Sequence, residues 1–373
     1  MPECASPLWP CAMTGAAACL AGFDGISIVI HGSSGCYYYP ATLLHTPLHG
    51  TFINDNDVIF GSEQRLLELL DSLEGNGKKI AVIMTCVPAI LGEDILSVLS
   101  DYPVILVDAP GFSGDVESGY KKALLALAPS IDTSCEGINI DGACLLDPFS
   151  MGNVQEVLRL MGNASVNVGT VFCSDLLEKV KRAAPYTVGT NGDFSSGIGT
   201  CLGGMLGFGE IRTTFGKIAS VCPGADPTPV EKEIEREDER IVRACDKFLR
   251  RFDPPRAVIF SNFSYAAFAE KTLRYYLDAD ILAVGSRNKP CNSLFQGEHV
   301  QEFSRMKTLI NDHNPDLVIG SSFERSVDTG RAFVGLTPPL RGIVRLAPHA
   351  VAGVTGTLSF VEDVLNACID RKK

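Results

Sequence analysis

The feature that most constrains this fold is an alternation. Short apolar runs of strand length give way to helical stretches along nearly the whole chain. Residues 26–30, 80–84 and 104–107 read as buried strands. Between and after them come helices at 14–21, at 62–70 with Ser62 as cap, at 90–99 and at 120–128. Gly75-Asn76-Gly77 closes the second of these. Strands at 137–140, 166–168 and 186–188 then alternate with helices at 153–161, 175–184 and 198–206. The last third adds strands at 257–260, 281–284, 317–319 and 343–346, with helices at 266–276, 300–312 and 357–367. Such alternation implies parallel sheets with helices on both faces. No internal repeat is visible.

A chain of 373 residues exceeds one ordinary domain. Three prolines within 222–229 mark the clearest boundary. The expected domains are 1–130, 131–224 and 225–373. The third opens with a charged helix at 230–252, where Val230, Ile234, Ile241, Cys245, Phe248, Leu249 and Phe252 form a one-faced apolar stripe. A net charge of −12 without a basic run argues against a nucleic-acid surface. Pro2, Pro7 and Pro10 break a polar N-terminus, and no apolar run approaches the ~18 residues of a membrane span. The expectation is a cytoplasmic protein with no membrane contact. Its 13 cysteines are odd in number and scattered, so they read as thiols, packed or metal-bound, and fit an anaerobic host.

Three cysteines stand where an element meets a loop. Cys11 precedes a small-residue helix, Cys36 follows the first strand and a glycine turn, and Cys86 lies between a strand and a helix that Pro88 can open. Parallel sheets collect ligands beyond the carboxyl ends of their strands. A helix start favours thiolate over thiol through its free N–H groups and dipole. Cys11, Cys36 and Cys86 are therefore candidate metal ligands on one sheet edge. The competing reading makes each a small apolar filler, an ordinary use of cysteine. Glycines flanking the turn before Cys36 suit close approach of backbone to a bulky group. Other chemistry is missing from the sequence. It has no Walker A loop and no complete Gly-x-Gly-x-x-Gly, so no nucleotide cradle is expected. It has neither His-Glu-x-x-His nor Cys-x-x-Cys, which disfavours tetrahedral zinc. His31 reads as structural, and Pro47 disfavours a preformed pair of His45 and His49.

Taken together, the motifs resemble nitrogenase component 1 and its relatives. Cys11-Ala12-Met13-Thr14-Gly15-Ala16 is similar to that family's first cluster-cysteine motif, and His31-Gly32-Ser33-Ser34-Gly35-Cys36 to its His-Gly-x-x-Gly-Cys. Asn56-Asp57-Val58-Ile59-Phe60-Gly61-Ser62 resembles its acidic-apolar-Phe-Gly-Gly turn. Thr85-Cys86 followed by Gly92-Glu93-Asp94-Ile95 resembles its third cysteine, and Pro110-Gly111-Phe112-Ser113-Gly114 with Gly119-Tyr120 also matches. Later, Asn314-Pro315-Asp316-Leu317-Val318-Ile319-Gly320-Ser321-Ser322 and Gly353-Val354-Thr355-Gly356 continue the likeness, which is diffuse between 131 and 300.

The resemblance implies three Rossmann-like parallel-sheet domains of the nitrogenase component 1 type. It implies an iron–sulfur oxidoreductase fed with electrons by a separate ATP-dependent reductase. A non-enzymatic scaffold for an iron–sulfur-based metal cofactor is the alternative. The implied cofactor is a 4Fe–4S or an interfacial 8Fe–7S-like cluster on Cys11, Cys36 and Cys86, with Cys4 or a partner subunit completing the shell. The implied assembly is a homodimer, or a heterodimer with a homologous chain. No cysteine stands near Thr190-Asn191 where the family's catalytic subunit carries one, and the nearest histidine to its cofactor ligand is His349, a few residues off. An iron–molybdenum type cofactor is therefore not expected, and a smaller organic or tetrapyrrole-like substrate is. Ser321, Arg325 and His349 are candidates to line its cleft, against the plainer roles of turn, cap and solvated cation.

Overall fold

The computed structural model describes residues 9–289, 297–327 and 329–371. These fall into two compact units. The first holds the described residues up to Cys135, with Cys144–Leu146 and Thr170–Ala183; the second holds Glu136–Ala143, Asp147–Gly169 and everything from Ala184 on.

In the first unit the elements run α1 (Ala12–Ala21), β1 (Ile26–His31), α2 (Ser34–Leu44), β2 (His49–Gly50), α3 (Asp55–Phe60), α4 (Glu63–Leu73), β3 (Lys79–Met84), α5 (Cys86–Leu91), α6 (Ile95–Val98), β4 (Val104–Asp108) and α7 (Val116–Ala126). The strands form one parallel sheet in the order β2-β1-β3-β4. His31 is level with Met84, and Met84 with Asp108, so all three strands end at one edge. β1 is buried on both faces, as a covered parallel strand must be. One face packs on Leu66, Leu70 and Leu73 of α4 with Ile95 and Leu99. Leu70 is wholly buried there, so Leu70→Ala costs about 2–5 kcal/mol. On the other face α1 and α7 approach to backbone contact. A Cβ on Gly15 would lie 1.9 Å from the Val116 carbonyl oxygen, and one on Gly119 1.7 Å from that of Ala12. That closeness is why α1 is built from alanine and glycine.

After these follow β5 (Ile138–Asp141), α8 (Ser150–Asn163), β6 (Val168–Val171, whose last two residues count with the first unit), β7 (Tyr186–Gly189), β8 (Thr200–Gly204), α9 (Phe208–Val221), α10 (Thr228–Leu249), β9 (Arg256–Ser261), α11 (Phe263–Leu277), β10 (Asp280–Ser286), β11 (Glu298–His299), α12 (Phe303–His313), β12 (Leu317–Gly320), α13 (Ser322–Val327), β13 (Ala332–Gly335) and α14 (Gly353–Arg371). Two more sheets result, ordered β6-β5-β7-β8 and β11-β10-β9-β12-β13. The chain is thus α/β throughout, on parallel sheets. The charged stripe forms α10, with Val230, Ile234, Ile241, Cys245 and Phe248 buried.

Four local expectations fail. The helix expected at 198–206 is the strand β8. Gly199 and Gly203 there take positive φ, and glycine costs a helix roughly 1 kcal/mol each. At 175–184 only a 3-10 turn forms, Leu177–Arg182, with extended residues at both ends. The helix expected at 90–99 is two short ones, interrupted by left-handed Gly92 and restarted by the Asp94 cap on Ser97 N. Residues 343–346 form no strand, and Val344 and Leu346 are 84% and 97% exposed. The last strand is β13 instead. α2 was not anticipated, since Pro40 sits inside it.

Candidate metal centre

Each of the three edge cysteines is placed by the start of a helix. Cys11 is the N-cap of α1, its carbonyl accepting from Gly15 N. Cys36 lies in the first turn of α2, and Cys86 is the first residue of α5. Because β1 and β3 end level, the loops carrying Cys36 and Cys86 leave the sheet together. Gly32 sits directly against Thr85: a Cβ there would fall 2.0 Å from Thr85 Oγ1. The loop after β4 closes the arrangement. Gly111 N donates to Cys86 Sγ at 3.0 Å, and a Cβ on Gly111 would lie 3.2 Å from both Cys11 Sγ and Cys86 Sγ. Gly111 thus brings bare backbone against two sulfurs at once. Gly35, beside Cys36, has only Ser33 Oγ, 4.0 Å from where its Cβ would be, so close packing does not require it.

All three cysteines are thiols, partly exposed. Ser33 Oγ donates to Cys36 Sγ at 3.6 Å, and Cys11 Sγ is 3.8 Å from Thr14 Oγ1. Burial pushes the Cys86 thiol above its ordinary pKa; the Phe112 and Gly111 N–H groups pull it down, and the charges of Cys36 and Cys11 push it up again. Negative charge at Cys86 is thus opposed by both other sulfurs, and a cation shared among the three would relieve that opposition. Soft thiolate donors select iron–sulfur clusters, copper(I) or zinc. Among the described residues no group of three or more His, Cys, Asp or Glu could hold a single metal ion. The Thr85 hydroxyl, next in the chain to Cys86, is buried without a hydrogen-bond partner. A sulfur-rich, N–H-lined edge of this kind fits a polynuclear iron–sulfur group. Cys4 lies outside the described residues.

Behind the edge stands a pin that no sequence pattern revealed. Buried His31 meets Thr51 Oγ1 through Nδ1 at 3.2 Å and Ser62 Oγ through Nε2 at 3.2 Å. Ser62 Oγ donates to Glu93 Oε2 at 2.6 Å, and Ser62 N to Glu93 Oε1 at 3.0 Å. Burial lowers the His31 pKa, and Glu93 partly restores it. The serine, histidine and glutamate fix loops from three elements, so His31 is structural, as its strand-end position suggested. His45 caps α2 in the left-handed conformation and His49 lies in β2.

The three cleft candidates in the second unit have local partners. Ser321 is buried, its N–H and hydroxyl both donating to Glu324 Oε2, at 2.7 and 2.5 Å. The Arg325 guanidinium lies 5.5 Å over the Phe333 ring. His349 sits 3.5 Å from Asp363, which also binds Arg345, and 6.0 Å from the Phe149 ring. None of them lines the cavity of about 670 Å³ in this unit, whose wall includes Asp141, Thr190, Asn191 and Ser264. Asn191 leads from that wall into a buried network. Its Nδ2 donates to Asp147 Oδ2, which also accepts from Tyr265 Oη at 2.6 Å, while Asp193 Oδ2 accepts from Ser264 N. Burial raises Asp193 to about 6, with Asp147 adding to the rise.

Comparison with known proteins extends these observations over the whole chain. Residues 11–369 match the family model described as nitrogenase component 1 type oxidoreductase. The nitrogenase iron-molybdenum cofactor biosynthesis protein NifE of Clostridium pasteurianum is 22% identical, over 90% of this chain and 82% of that protein. Component CfbD of the Ni-sirohydrochlorin a,c-diamide reductive cyclase complex of Methanocaldococcus jannaschii is 31% identical, over 26% of this chain and 32% of its own. The nitrogenase molybdenum-iron protein beta chain of Frankia alni is 28% identical, over 42% of this chain and 35% of its own. The solved structure of nitrogenase Cp1 at pH 6.5 shares the fold at a TM-score of 0.83 and 16% identity, covering 98% of this chain and 93% of that one.

Proposed function

The chain belongs to the nitrogenase component 1 type oxidoreductases, and from that premise we propose that it is an iron–sulfur component 1 that takes electrons from an ATP-dependent reductase and passes them to a bound substrate. The observation that carries this reading is the Gly111 backbone held against Cys11 Sγ and Cys86 Sγ, at an edge where the Cys86 sulfur feels the charges of both Cys11 and Cys36. Cys11, Cys36 and Cys86 would hold the cluster, and a 4Fe–4S or 8Fe–7S-like group would supply one-electron chemistry there. The protein's own part is binding, orientation and exclusion of water. Gly111 N–H stabilises charge on the Cys86 sulfur, and the two flanking loops keep the edge fixed through the His31, Ser62 and Glu93 pin.

A partner chain fits the same edge. α2, α3, α5 and α6 expose Tyr38, Ile59, Phe60, Ile90 and Leu96, with Phe60 84% exposed. Exposed apolar side chains gathered on the helices of one unit suit an interaction site. We read it as the contact with a second copy or a homologous chain, which brings the missing thiolate; Cys4 is the alternative fourth ligand. We place the substrate in the cavity at Thr190 and Asn191; neither of these positions is a cysteine, and the cysteine that the cavity wall does carry is Cys201 on β8. A tetrapyrrole-like substrate suits its volume and the chain's partial likeness to the cyclase component. Ser321, Arg325 and His349 do not line that cavity and are given no part in holding the substrate there.

The scaffold reading draws on the longer likeness to the cofactor biosynthesis protein. Anaerobic turnover with a reductase and MgATP separates the two. Substrate-dependent consumption of electrons supports the enzyme. Iron-loaded protein that accepts electrons and reduces nothing, yet releases a metal cofactor to an acceptor chain, overturns it in favour of the scaffold.

A further inference from the structure

Two more cysteines meet inside the first unit, away from the metal edge. Cys19 and Cys173 are buried, 154 positions apart in sequence, and their Sγ atoms stand 3.4 Å apart. Both are thiols. Cys19 lies on the last turn of α1, the helix whose first cap is Cys11. Cys173 sits in the turn after β6 with φ at +58°, a conformation uncommon for residues other than glycine. Two further contacts hold these segments side by side. A Cβ on Gly22 would lie 2.2 Å from the Cys173 carbonyl oxygen, so the chains touch through backbone. Asp24 and Leu176 form a parallel bridge just beyond. The sulfurs therefore face each other within a buried, backbone-level contact.

We propose that Cys19 and Cys173 are a reversible dithiol–disulfide pair that peroxide-class oxidants close. The sulfurs need to approach by only ~1.4 Å to reach the ~2.05 Å of a disulfide. Peroxide oxidises one thiol to a sulfenic acid and leaves as water. The second sulfur attacks the sulfenic sulfur, the S–S bond forms, and the hydroxyl departs with the remaining thiol proton as a second water. Two thiols and one peroxide give one disulfide and two waters, and the two electrons lost by the sulfurs reduce the peroxide. A dithiol reductant reopens the bond by exchange. Burial selects a small oxidant over a bulky disulfide. The closed bond ties the end of α1 to the 173–176 segment, while Cys11 at the other end of α1 keeps its own thiol. The device holds the first unit together under oxidants that strip iron, and it does not rest on the metal assignment.

The test uses protein purified without oxygen, treated with hydrogen peroxide, then alkylated in denaturant and mapped as peptides without reductant. Exposed Cys201 reports that the oxidant acted. The Cys19 and Cys173 peptides should be recovered joined, lighter by two hydrogens than their sum, and dithiothreitol should separate them. Oxidation should raise Tm by about 5 °C, because the bond constrains the unfolded chain. Cys19→Ala, a substitution an alanine-rich helix accepts, should abolish both changes. Recovery of both residues as alkylated thiols while Cys201 is oxidised would overturn the proposal. So would Cys19 joined to another cysteine, or the same Tm rise in Cys19→Ala.

Discussion

Gly111→Ala is the sharpest perturbation of the metal edge. The new methyl carbon would stand 3.2 Å from Cys11 Sγ, 3.2 Å from Cys86 Sγ and 3.4 Å from Cys11 Cβ. It has no easy escape, because Cys11 is held by α1 against α7 and Cys86 by α5. Gly111 does not take a left-handed φ, so alanine adds volume without backbone strain. Overpacking of this kind costs about 1–3 kcal/mol. Here the cost falls on the state in which both sulfurs point at the same group, since the relief available is to swing one of them away. Each 1.4 kcal/mol is tenfold in an equilibrium constant, so iron affinity should fall by roughly tenfold to a hundredfold. The assay is iron release to a chelator from anaerobically prepared protein, followed beside thermal unfolding. Gly35→Ala is the control, because its methyl would meet only Ser33 Oγ, at 4.0 Å. Wild-type iron retention in Gly111→Ala, or an equal loss in Gly35→Ala, would refute the steric reasoning.

Other outcomes follow from the same structure. Cys245→Ala should keep full iron and lose only core packing, measurable as a lower Tm, because Cys245 is buried on α10 in the other unit. The chain alone should hydrolyse no ATP, since it lacks a phosphate-cradling loop; hydrolysis that survives repurification contradicts this. Asp193 is raised from 3.8 to about 6 by burial, so the fold prefers it protonated. Its contribution to stability is full below pH 3.8 and is lost as pH rises through about 6; Asp193→Asn should flatten denaturant midpoints across that window. If the proposed partner chain completes the metal shell, removing iron should loosen that dimer by linkage; sedimentation of loaded and depleted protein measures it.

Much of this was legible before any coordinates. Buried parallel strands read as unbroken apolar runs, and β1, β3, β4, β9 and β12 stand within a residue or two of where those runs lie. The three cysteines were legible because each marks an element end, and strand ends of a parallel sheet share an edge. The contacts that assemble the edge were not. Gly111 stands in a motif that the sequence shows, but its contact with two sulfurs appears only when β4 is placed next to β3, and Glu93 gives no hint that it binds Ser62 across 31 positions. β8 was hidden by its glycines, which weaken a helix and a strand pattern alike. The apolar residues at 343–346 misled for the opposite reason, since exposure there is a matter of tertiary placement. Cys173 stands in no motif of the sequence, and only the fold brings it to Cys19.

The central claim is that Cys11, Cys36 and Cys86 hold iron together. Its most direct test is iron and sulfide analysis of wild type and the three single Cys→Ser variants, all prepared without oxygen. The wild type should hold about four irons per chain, as thiolate ligation of a cubane requires, and each variant should lose most of them. Full iron in all three variants would contradict the claim.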